Sequence, residues 1–396
     1  MTAGPFEGLL VLDLARVLAG PYCAQLLADF GAEVIKVEER AGDELRSWFP
    51  QKDGQSSNFQ SVNRGKKSMT LDLKTAEGAA ILAGLIARAD VLIHSFLEPV
   101  AKRLAVDYDT VRKINPDLVY CSISGYGAVG PLKDKPGYDL MLQAFTGVMM
   151  LTGEPGGPPV RAGLSAIDLA TSMLAYGGIS SALLARARGK ARGQHVQLSL
   201  LETGVALLGY HVTNYLNADF AGGKAGSGVG HIIPYQAWLC ADGYLLAGAT
   251  NDAGWLRFCD AIERPDLKAD PRFATTTGRR EYREVLIPLL QQHFAGDTVA
   301  CWQARMDSCG VPASPVHTIE QVVSNEQVLA TEMVVRINDH RGEPISLIGV
   351  PVKMSETPGV LGASPPQLGE HTRDVLAEKL GMSVEQIDDL IRRGVV

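Results

Sequence analysis

The fold class can be read from GLLVLDLARVLAGPYCAQLLADFGAEVIKVE, residues 8–38. Gly8–Leu14 is an apolar run of strand length, and Ala19–Phe30 is a helix that we expect to end at Gly31. Glu33–Val37 is a second apolar strand. A strand, a helix and a strand at this spacing form a βαβ unit, in which the two strands are parallel.

The same alternation continues to about residue 130. A helix is predicted over Lys74–Ala89, and apolar strands over Ala89–Ile93 and Leu118–Ile123. The sequence therefore predicts an α/β fold with a Rossmann-like parallel sheet, whose strand order cannot be read from the pattern. The turn after the first strand, LARVLAGPYC, lacks the GxGxxG fingerprint, which disfavours an enzyme that binds NAD in this sheet.

Two glycine-rich segments interrupt the second part of the chain, LTGEPGGPPVRAG at 151–163 and AGGKAGSGVGH at 221–231. Between them the pattern predicts an apolar helix over roughly Ala166–Arg188. Residues 232–325 carry their own strand and helix signals, which indicates a smaller α+β domain. The spacing of Thr318 and Gln321, and of Ser383 and Gln386, predicts two helix starts with capping boxes.

Composition excludes several classes of protein. The 396 residues include 37 Lys and Arg against 44 Asp and Glu, so the formal net charge of −7 disfavours a generally basic nucleic-acid or membrane-surface binder. The six cysteines are scattered without a CxxC pair, which favours buried thiols in a reducing cytoplasm. The eight histidines form no close pair, so no metal site is expected. We see no apolar run of transmembrane length and no basic start typical of a signal peptide.

Asp168 is the first candidate for chemistry, because it lies near the start of the apolar helix. Two interpretations remain open for it. An aspartate there can simply stabilise the helix start through capping and the helix dipole. The same position would also keep the carboxylate ionised, and hence able to attack an acyl group as a nucleophile. Such an attack needs hydrogen-bond donors for the developing oxyanion. The string Gly226–Gly230 could supply backbone N–H groups, or could be an ordinary flexible linker.

Two further segments combine polar groups. Asn63-Arg64-Gly65-Lys66-Lys67 is the densest basic run, and is either a phosphate site or a solvated turn. If the fold brings them near, Arg40, Lys102 and Arg103 could add to the positive electrostatic potential of this run. Tyr138 and Asp139 follow Pro136-Gly137 on a predicted turn into a helix, where the alternatives are a site residue and a packed tyrosine.

These residues lie in a sequence that resembles the family III (CaiB/BaiF-type) CoA-transferases over essentially the whole chain. The motifs that carry the resemblance are the 8–38 stretch, SVNRGKKSMTLDL at 61–73, YCSISGYGAVGP at 120–131, PGYDLMLQAFTG at 136–147, RAGLSAIDLAT at 161–171 and LGEHTRDVL at 368–376. The resemblance implies a large CoA-binding domain built from both chain ends, a smaller domain, and an interlocked homodimer. We accordingly expect a large domain over 1–200 and 326–396, a linker with the glycine loop over 201–230, and a small domain over 231–325.

The resemblance also implies a mechanism. Asp168 matches the family's catalytic aspartate, which forms a mixed anhydride with the donor acyl group and then an aspartyl-CoA thioester. CoA thioesters are the substrates, and neither a tightly bound cofactor nor a metal is implied. Gly228, Val229 and Gly230 match the family's mobile glycine loop, and Tyr138 matches an active-site tyrosine. The implied CoA contacts are Asn63, Arg64, Lys66, Lys67, Ser95, Phe96, Arg103 and Arg40.

Four features of the sequence depart from the family's patterns. Leu18 replaces the glutamine of formyl-CoA transferases, which weakens an oxalate or formate assignment. Tyr138 replaces the histidine of the acyl-CoA racemases, which disfavours proton exchange at the α-carbon. Glu39 stands where an arginine is usual, with Arg40 as its substitute. His94-Ser95-Phe96 stands where the family commonly has the sequence ENF.

The segment GVGHIIPYQAWLCADGYLLAGATN, residues 228–251, is most similar to the branch that transfers CoA from succinyl-CoA to dicarboxylates. We therefore expect a dicarboxylic acceptor, with Arg16, His231 or Arg161 facing its distal carboxylate. The alternatives are a formyl-CoA:oxalate-type transferase, an acyl-CoA racemase or isomerase of the same fold, and a non-catalytic acyl-CoA-binding protein.

Overall fold

Thirteen strands and nineteen helices are found in the part of the chain that the structure, a computed structural model, describes, residues 4–396. The strands are β1 (Leu10–Asp13), β2 (Glu33–Glu38), β3 (Gln51–Lys52), β4 (Gln55–Ser56), β5 (Lys66–Thr70), β6 (Val91–His94), β7 (Val119–Ser124), β8 (Gln194–Ser199), β9 (Tyr235–Leu239), β10 (Tyr244–Gly248), β11 (Ala313–Pro315), β12 (Val334–Asn338) and β13 (Pro344–Ile348).

The helices follow the same chain order, with two short 3₁₀ turns at Glu44–Ser47 and Pro271–Phe273. They are α1 (Ala19–Asp29), α2 (Ser57–Ser61), α3 (Ala76–Ile86), α4 (Glu98–Arg103), α5 (Tyr108–Ile114), α6 (Asp139–Thr146), α7 (Val148–Leu151), α8 (Ala166–Ala187), α9 (Leu200–Leu207), α10 (Tyr210–Ala218), α11 (Asp252–Ala261), α12 (Pro265–Ala269), α13 (Thr276–Glu281), α14 (Arg283–Phe294), α15 (Val299–Ser308), α16 (Ile319–Ser324), α17 (Glu326–Ala330), α18 (Thr372–Leu380) and α19 (Val384–Arg393).

The chain divides into two units. Unit 1 comprises the residues up to Thr146, Gly163–Leu207 and Glu326–Val396, and unit 2 comprises Gly147–Ala162 and Leu208–Asn325. The expected boundaries differ from this division on both sides of α8. Residues 147–162 group with unit 2, whereas α9 stays in unit 1 because its first residue, Leu200, is buried in the same core as α1 and α8. The expected linker contains α9 and α10, so it is largely helical.

Unit 1 contains a six-stranded, wholly parallel sheet in the order β5-β2-β1-β6-β7-β8. Its central strands are buried on both faces, as expected where helices cover both sides of a parallel sheet. In β1, Leu10 and Leu12 pack into one core, which includes residues of α3, α18 and α19. Val11, between them, packs into the other core with residues of α1 and α8. The predicted α/β class and parallel sheet are therefore confirmed.

α8 is the one helix of the described chain that is long and apolar enough to cross a membrane by length and composition alone. In this structure it packs on α1 and on the sheet, and Ile167, Ala175 and Ile179 are fully buried in the core. These contacts are those of the core helix of a folded domain.

Unit 2 has a three-stranded antiparallel sheet in the order β11-β10-β9. Its core is aromatic: Trp238 stacks on Phe294 at 5.1 Å between ring centroids, and Trp255 and Trp302 are buried beside them. The sheet and the helices that follow it match the α+β character predicted for residues 232–325. The expected capping boxes are also present at the starts of α16 and α19.

Candidate active site

The strand order places a crevice at the centre of unit 1. Numbered by their order in the chain, the six parallel strands lie in the sequence 3-2-1-4-5-6, which is the doubly wound Rossmann arrangement. The chain leaves β1 towards one edge of the sheet and later returns to add β6 on the other side. In open parallel sheets, ligands bind outside the carboxyl ends of the strands at such a switch point.

A cavity of about 220 Å³ lies at this point. Its lining includes the turn after β1, the residue after β6, the end of β7 and the first turn of α8. Five residues predicted from the sequence line it together: Arg16, Leu18, Ser95, Tyr138 and Asp168. Asp168 is thus brought into a cavity with the tyrosine and the turn that the sequence analysis selected.

A second carboxylate, that of Asp139, caps the start of α8. This capping was one of the two roles that the sequence left open for Asp168. Asp139 is buried at the start of α6, and its Oδ1 accepts the backbone N–H groups of Ile167 at 2.9 Å and Asp168 at 3.1 Å. Its Oδ2 accepts the side-chain amide of Gln143 at 2.6 Å. Because these N–H groups belong to the first turn of α8, Asp139 satisfies donors that the helix itself leaves unpaired. The Asp168 side chain is therefore not needed for capping.

The protonation of Asp168 differs from the expectation. The helix start was expected to keep this carboxylate ionised, but burial and, to a smaller extent, the neighbouring negative charge of Asp139 together raise the pKa of Asp168 to about 7. At neutral pH the side chain is divided between its acid and carboxylate forms. A desolvated carboxylate is a stronger nucleophile than a hydrated one, and perturbed pKa values concentrate at functional sites.

The turn between β1 and α1 is strained where it meets the cavity. Val17 has φ +63°, in the left-handed region that a β-branched residue avoids. Strain of this kind costs about 1–3 kcal/mol, and it persists only when the surroundings hold the backbone in place. On either side of Val17, Arg16 and Leu18 line the cavity. The Arg16 guanidinium lies 3.0 Å from Glu39, and both side chains are about half exposed.

A second, narrower cavity of about 80 Å³ lies at the carboxyl ends of β1, β2 and β5. Its walls include the apolar side chains of Leu71, Phe96 and Leu104, and its cationic residues include Arg16, which also lines the first cavity, and Lys74. A narrow cavity with apolar walls and exposed cations beside it suits a nucleotide. The flat base would contact the apolar walls, and the phosphates would contact the cations. Lys74 was missed by the sequence analysis, because a single lysine in a turn carries no motif.

The loop after β6 places Ser95 and Phe96 beside these cavities. Burial lowers the pKa of His94 to about 3, so its ring is neutral, and its Nδ1 accepts the backbone N–H of Phe96 at 3.0 Å. The Ser95 hydroxyl accepts the backbone N–H of Arg16 at 3.2 Å. The histidine that replaces the family's usual residue therefore shapes the turn from inside the protein.

The basic run 63–67 does not form the expected phosphate site. Arg64 is buried against Asp29, with nitrogen–oxygen distances of 2.8 and 2.6 Å. Lys66 is buried between Asp13 at 2.8 Å and the Oδ1 atom of Asn63 at 2.9 Å. Burial lowers the pKa of Lys66 to about 8, although Asp13 opposes this effect. These groups cannot reach a phosphate without losing their partners, so the structure argues against their predicted CoA contacts.

The remaining predicted cations differ in exposure. Lys67, at the end of the run, is partly exposed and pairs with Glu33 at 2.9 Å. Arg103 is exposed in the last turn of α4, next to Leu104 of the narrow cavity, whereas Lys102 pairs with Glu98 at 3.2 Å. Arg40 is exposed and its guanidinium packs against Gly394, away from the lining of either cavity.

The glycine loop belongs to unit 2, where Gly228, Val229, Gly230 and His231 line a cavity of about 290 Å³ with Tyr210 and Arg283. Two of its amides are already used: Gly228 donates to Ala225 at 3.0 Å and Val229 donates to Tyr235 at 3.3 Å. Among residues 4–396, the Gly230 amide has no hydrogen-bond partner. The loop is therefore held through these two amides, and Gly230 keeps an unpaired donor.

The other two residues expected to face a distal carboxylate are also in unit 2. His231 is exposed and meets the ring of Tyr210 edge-on at 6.3 Å. Arg161 is exposed, and its Nε donates to the carbonyl of Ala162 at 3.1 Å. Over the described residues 4–396 we find no group of three or more His, Cys, Asp or Glu side chains arranged to hold a metal ion.

The family model described as CoA-transferase family III matches residues 6–372. The chain is 38% identical to the succinyl-CoA:glutarate CoA-transferase of Mus musculus, over 99% of this chain and 90% of that protein. It is 36% identical to the succinate–glutarate CoA-transferase of Agrobacterium fabrum, over 94% of this chain and 95% of that protein. A crystal structure of a CaiB/BaiF family protein from Brucella suis has a TM-score of 0.86 and 35% identity, and covers 95% of this chain and 100% of that one.

Proposed function

Since the chain belongs to CoA-transferase family III and is a CoA-transferase, we propose that it moves CoA from succinyl-CoA to a dicarboxylic acid such as glutarate, with Asp168 as the nucleophile. The observation that carries the proposal is the position of Asp168. Its carboxylate lines the cavity at the switch point of the parallel sheet, while Asp139 relieves it of any capping role.

The choice of donor and acceptor rests on the relatives, whose names give succinyl-CoA or succinate and glutarate. Arg16 supports a dicarboxylic acceptor, because its cationic side chain lines the same cavity as Asp168. A carboxylate at the far end of the acceptor would form a charge-assisted hydrogen bond with this guanidinium. Arg16 would then exchange its half-exposed partner Glu39 for the substrate.

The proposed reaction proceeds through four acyl exchanges. An oxygen of Asp168 attacks the thioester carbon of succinyl-CoA, and the CoA thiolate leaves to give a mixed anhydride. The thiolate then attacks the Asp168 carbonyl carbon, which releases succinate and forms an aspartyl-CoA thioester. The acceptor carboxylate attacks the same carbon and expels the thiolate, and the thiolate finally attacks the acceptor acyl carbon and frees Asp168. Every bond broken is replaced by one of similar kind, so the sequence consumes no other energy source.

The protein's contribution is to hold one carboxylate ready to attack and to stabilise the oxyanion at each step. Only the ionised form of Asp168 attacks, so its pKa of about 7 links the first step to pH. The Tyr138 hydroxyl lines the same cavity and could donate to the oxyanion. The oxyanion role of the glycine loop stays a prediction from the family resemblance.

We also propose that the narrow cavity receives the adenosine end of CoA. Leu71, Phe96 and Leu104 would contact the adenine ring, and Lys74 and Arg16 of the same lining would face the phosphates. The exposed Arg103, next to Leu104, would add a further cation at the edge of this cavity. Arg16 would then lie between the nucleotide and the acyl group, since it lines both cavities.

The homodimer remains a proposal with support from the surface of unit 1. α6 and α8 expose large apolar side chains, among them Met141, Phe145, Met173 and Leu174. Apolar residues gathered on neighbouring helices of one unit mark an interaction surface. A cytoplasmic location is proposed on the cysteines, each of which is a free thiol. Light scattering after size exclusion tests the dimer.

The proposed function is tested by offering the enzyme succinyl-CoA with a panel of acids, and by identifying the CoA products by mass spectrometry. We expect glutaryl-CoA to form with the wild type and not with Asp168→Ala, whereas Asp266→Ala, which removes an exposed carboxylate of unit 2, should keep the activity. Preferential transfer to a monocarboxylate would overturn the dicarboxylate assignment. Exchange of the α-hydrogen in deuterated water without any acceptor would instead identify a racemase, and formyl-CoA with oxalate as the best pair would identify the other alternative.

A further inference from the structure

The turn 15–21, which runs from the end of β1 into the first turn of α1, is held largely by side chains. Three consecutive N–H groups in it donate to side-chain oxygens, and two carbonyl groups accept from lysine ammonium groups. The donors are Ala15 to Asp13 at 3.0 Å, Arg16 to Ser95 at 3.2 Å and Val17 to Asp43 at 3.4 Å, and the acceptors are Ala15 from Lys36 at 3.0 Å and Pro21 from Lys66 at 2.7 Å. A turn held in this way has its shape set by residues far away in the sequence.

Four of these side chains form one buried charge cluster below the turn. Asp13, Lys36, Asp43 and Lys66 are between 0% and 4% exposed. Lys66 pairs with Asp13 at 2.8 Å, and Lys36 pairs with Asp43 at 2.9 Å. Both pairs therefore combine a carboxylate that accepts from the turn with an ammonium that donates to it.

A buried ion pair of this kind is weak support for stability, because the cost of removing both charges from water offsets their attraction. Apolar residues of similar volume would fill the same space at little or no loss. An apolar cluster would, however, leave the amides of Ala15 and Val17 and the carbonyl of Ala15 without these partners, and it would not hold Val17 at φ +63°. The cluster thus supplies what an apolar core cannot, namely fixed polar partners for one particular backbone shape.

We propose that Lys66 and Lys36, with Asp13 and Asp43, are positioning residues for CoA transfer: they hold the turn 15–21 in the shape that presents Arg16 and Leu18 to the substrate. The inference rests on the proposed function for what the turn contacts. Lys66 allows the most direct test of this role, because it lines neither the Asp168 cavity nor the narrow cavity. It can affect the substrate only through the turn. It therefore differs from the phosphate-binding role that its position in the basic run had indicated.

The test uses the double variant Asp13→Asn/Lys66→Met. The asparagine keeps an oxygen for the Ala15 amide, the methionine keeps the volume of the lysine stem, and neither change leaves an unpaired charge between these two positions. We expect kcat/KM for CoA transfer to fall on the order of 10²-fold, since small misplacements near the reacting groups are costly. We also expect hydrogen exchange at the amides of Arg16 and Val17 to become on the order of tenfold faster.

The matched control is Arg186→Met. Arg186 also bridges a carboxylate, Asp90 at 2.7 Å, and a backbone carbonyl, that of Asp117 at 3.0 Å, but it does so at the amino ends of β6 and β7. This variant should lose some stability and keep kcat, KM and the exchange rate of the turn.

Three results would overturn the inference. The first is a double variant with wild-type kcat and KM, and the second is one that loses activity with no change in exchange at residues 15–17. If the double variant does not fold, hydrogen exchange is measured on the wild type instead. If the amides of Arg16 and Val17 exchange as fast as those of exposed loops, the cluster does not hold the turn. Because exchange needs no substrate, these results remain interpretable even if Asp168→Ala retains transfer and the proposed function fails.

Discussion

Replacing the proposed nucleophile by its neutral isostere should make the protein more stable above neutral pH. The structure raises the pKa of Asp168 from its usual 3.8 to about 7, so folding disfavours the ionised form. A carboxyl group whose pKa is raised in the folded protein does not reduce the free energy of unfolding below about pH 4, because it is protonated in both the folded and the unfolded state. Its cost grows as the pH rises and is complete above pH 7. Asp168→Asn removes that cost together with the activity.

The size of the effect follows from the pKa values. Each pKa unit corresponds to about 1.4 kcal/mol, so a rise from 3.8 to about 7 makes ionisation on the order of 4 kcal/mol harder in the folded state. The start of α8 favours a negative charge by about 0.3–1 kcal/mol, and Asn loses this benefit. The net gain at pH 8 is therefore about 3 kcal/mol. Since 396 residues unfold with an entropy of about 0.8 kcal/mol/K, the melting temperature should rise by about 4 °C.

The assay is thermal unfolding of the wild type and of Asp168→Asn at pH 8 and pH 4, with Asp266→Asn as the control. Asp266 pairs with Arg264 on the surface, which lowers the pKa of this carboxyl to about 2, so its replacement should bring no gain at pH 8. A lower melting temperature of Asp168→Asn at pH 8, or an equal gain at both pH values, would contradict a raised pKa of Asp168.

Three further predictions concern catalysis. kcat/KM for succinyl-CoA should fall about tenfold per pH unit below about pH 6 and level off above pH 8, whereas a plateau that extends down to pH 5 would mean an ordinary carboxyl pKa. Asp139→Asn should move this limb to lower pH, because it removes the negative charge beside Asp168 and keeps an oxygen for the two helix amides; an unmoved limb contradicts the electrostatic role of Asp139. Arg16→Met should raise KM for glutarate by roughly 10–100-fold and that for a monocarboxylate much less, and equal changes for both acids would exclude recognition of the distal carboxylate.

The sequence predicted the elements of unit 1 well, because burial on both faces of a parallel sheet leaves short apolar runs that are easy to recognise. The helix expected over Ala166–Arg188 is Ala166–Ala187, and the helix expected over Lys74–Ala89 is Ala76–Ile86. Strand order could not be predicted, since it depends on which edge each crossover takes. The switch point, and with it the site, became visible only in the folded chain.

The basic run shows why charge in a sequence does not reveal its use. Lys66 and Arg64 read as a phosphate site because their partners lie 53 and 35 positions away, at Asp13 and Asp29. A sequence lists the cations, but only the fold decides whether a carboxylate or a ligand neutralises them. The same limit applies to Asp139, whose capping of α8 joins residues that are 28 and 29 positions apart.

The prediction for Asp168 was correct in position, since the residue lies in the first turn of α8, but its electrostatic reasoning was incomplete. A helix start lowers the pKa of a carboxyl, yet burial and a second carboxylate act in the opposite direction and are stronger here. Burial and the second carboxylate both result from tertiary structure. The sequence pattern therefore showed only the weaker effect, that of the helix start.

The assignment of Asp168 as the nucleophile can be tested directly by trapping the enzyme during turnover. The protein is incubated with succinyl-CoA, quenched with hydroxylamine and digested, and the peptides are analysed by mass spectrometry. We expect a hydroxamate on the Asp168 side chain that depends on succinyl-CoA and is absent in Asp168→Ala. Transfer of CoA with no such adduct, or an adduct on another side chain, would contradict the assignment of Asp168 as the nucleophile.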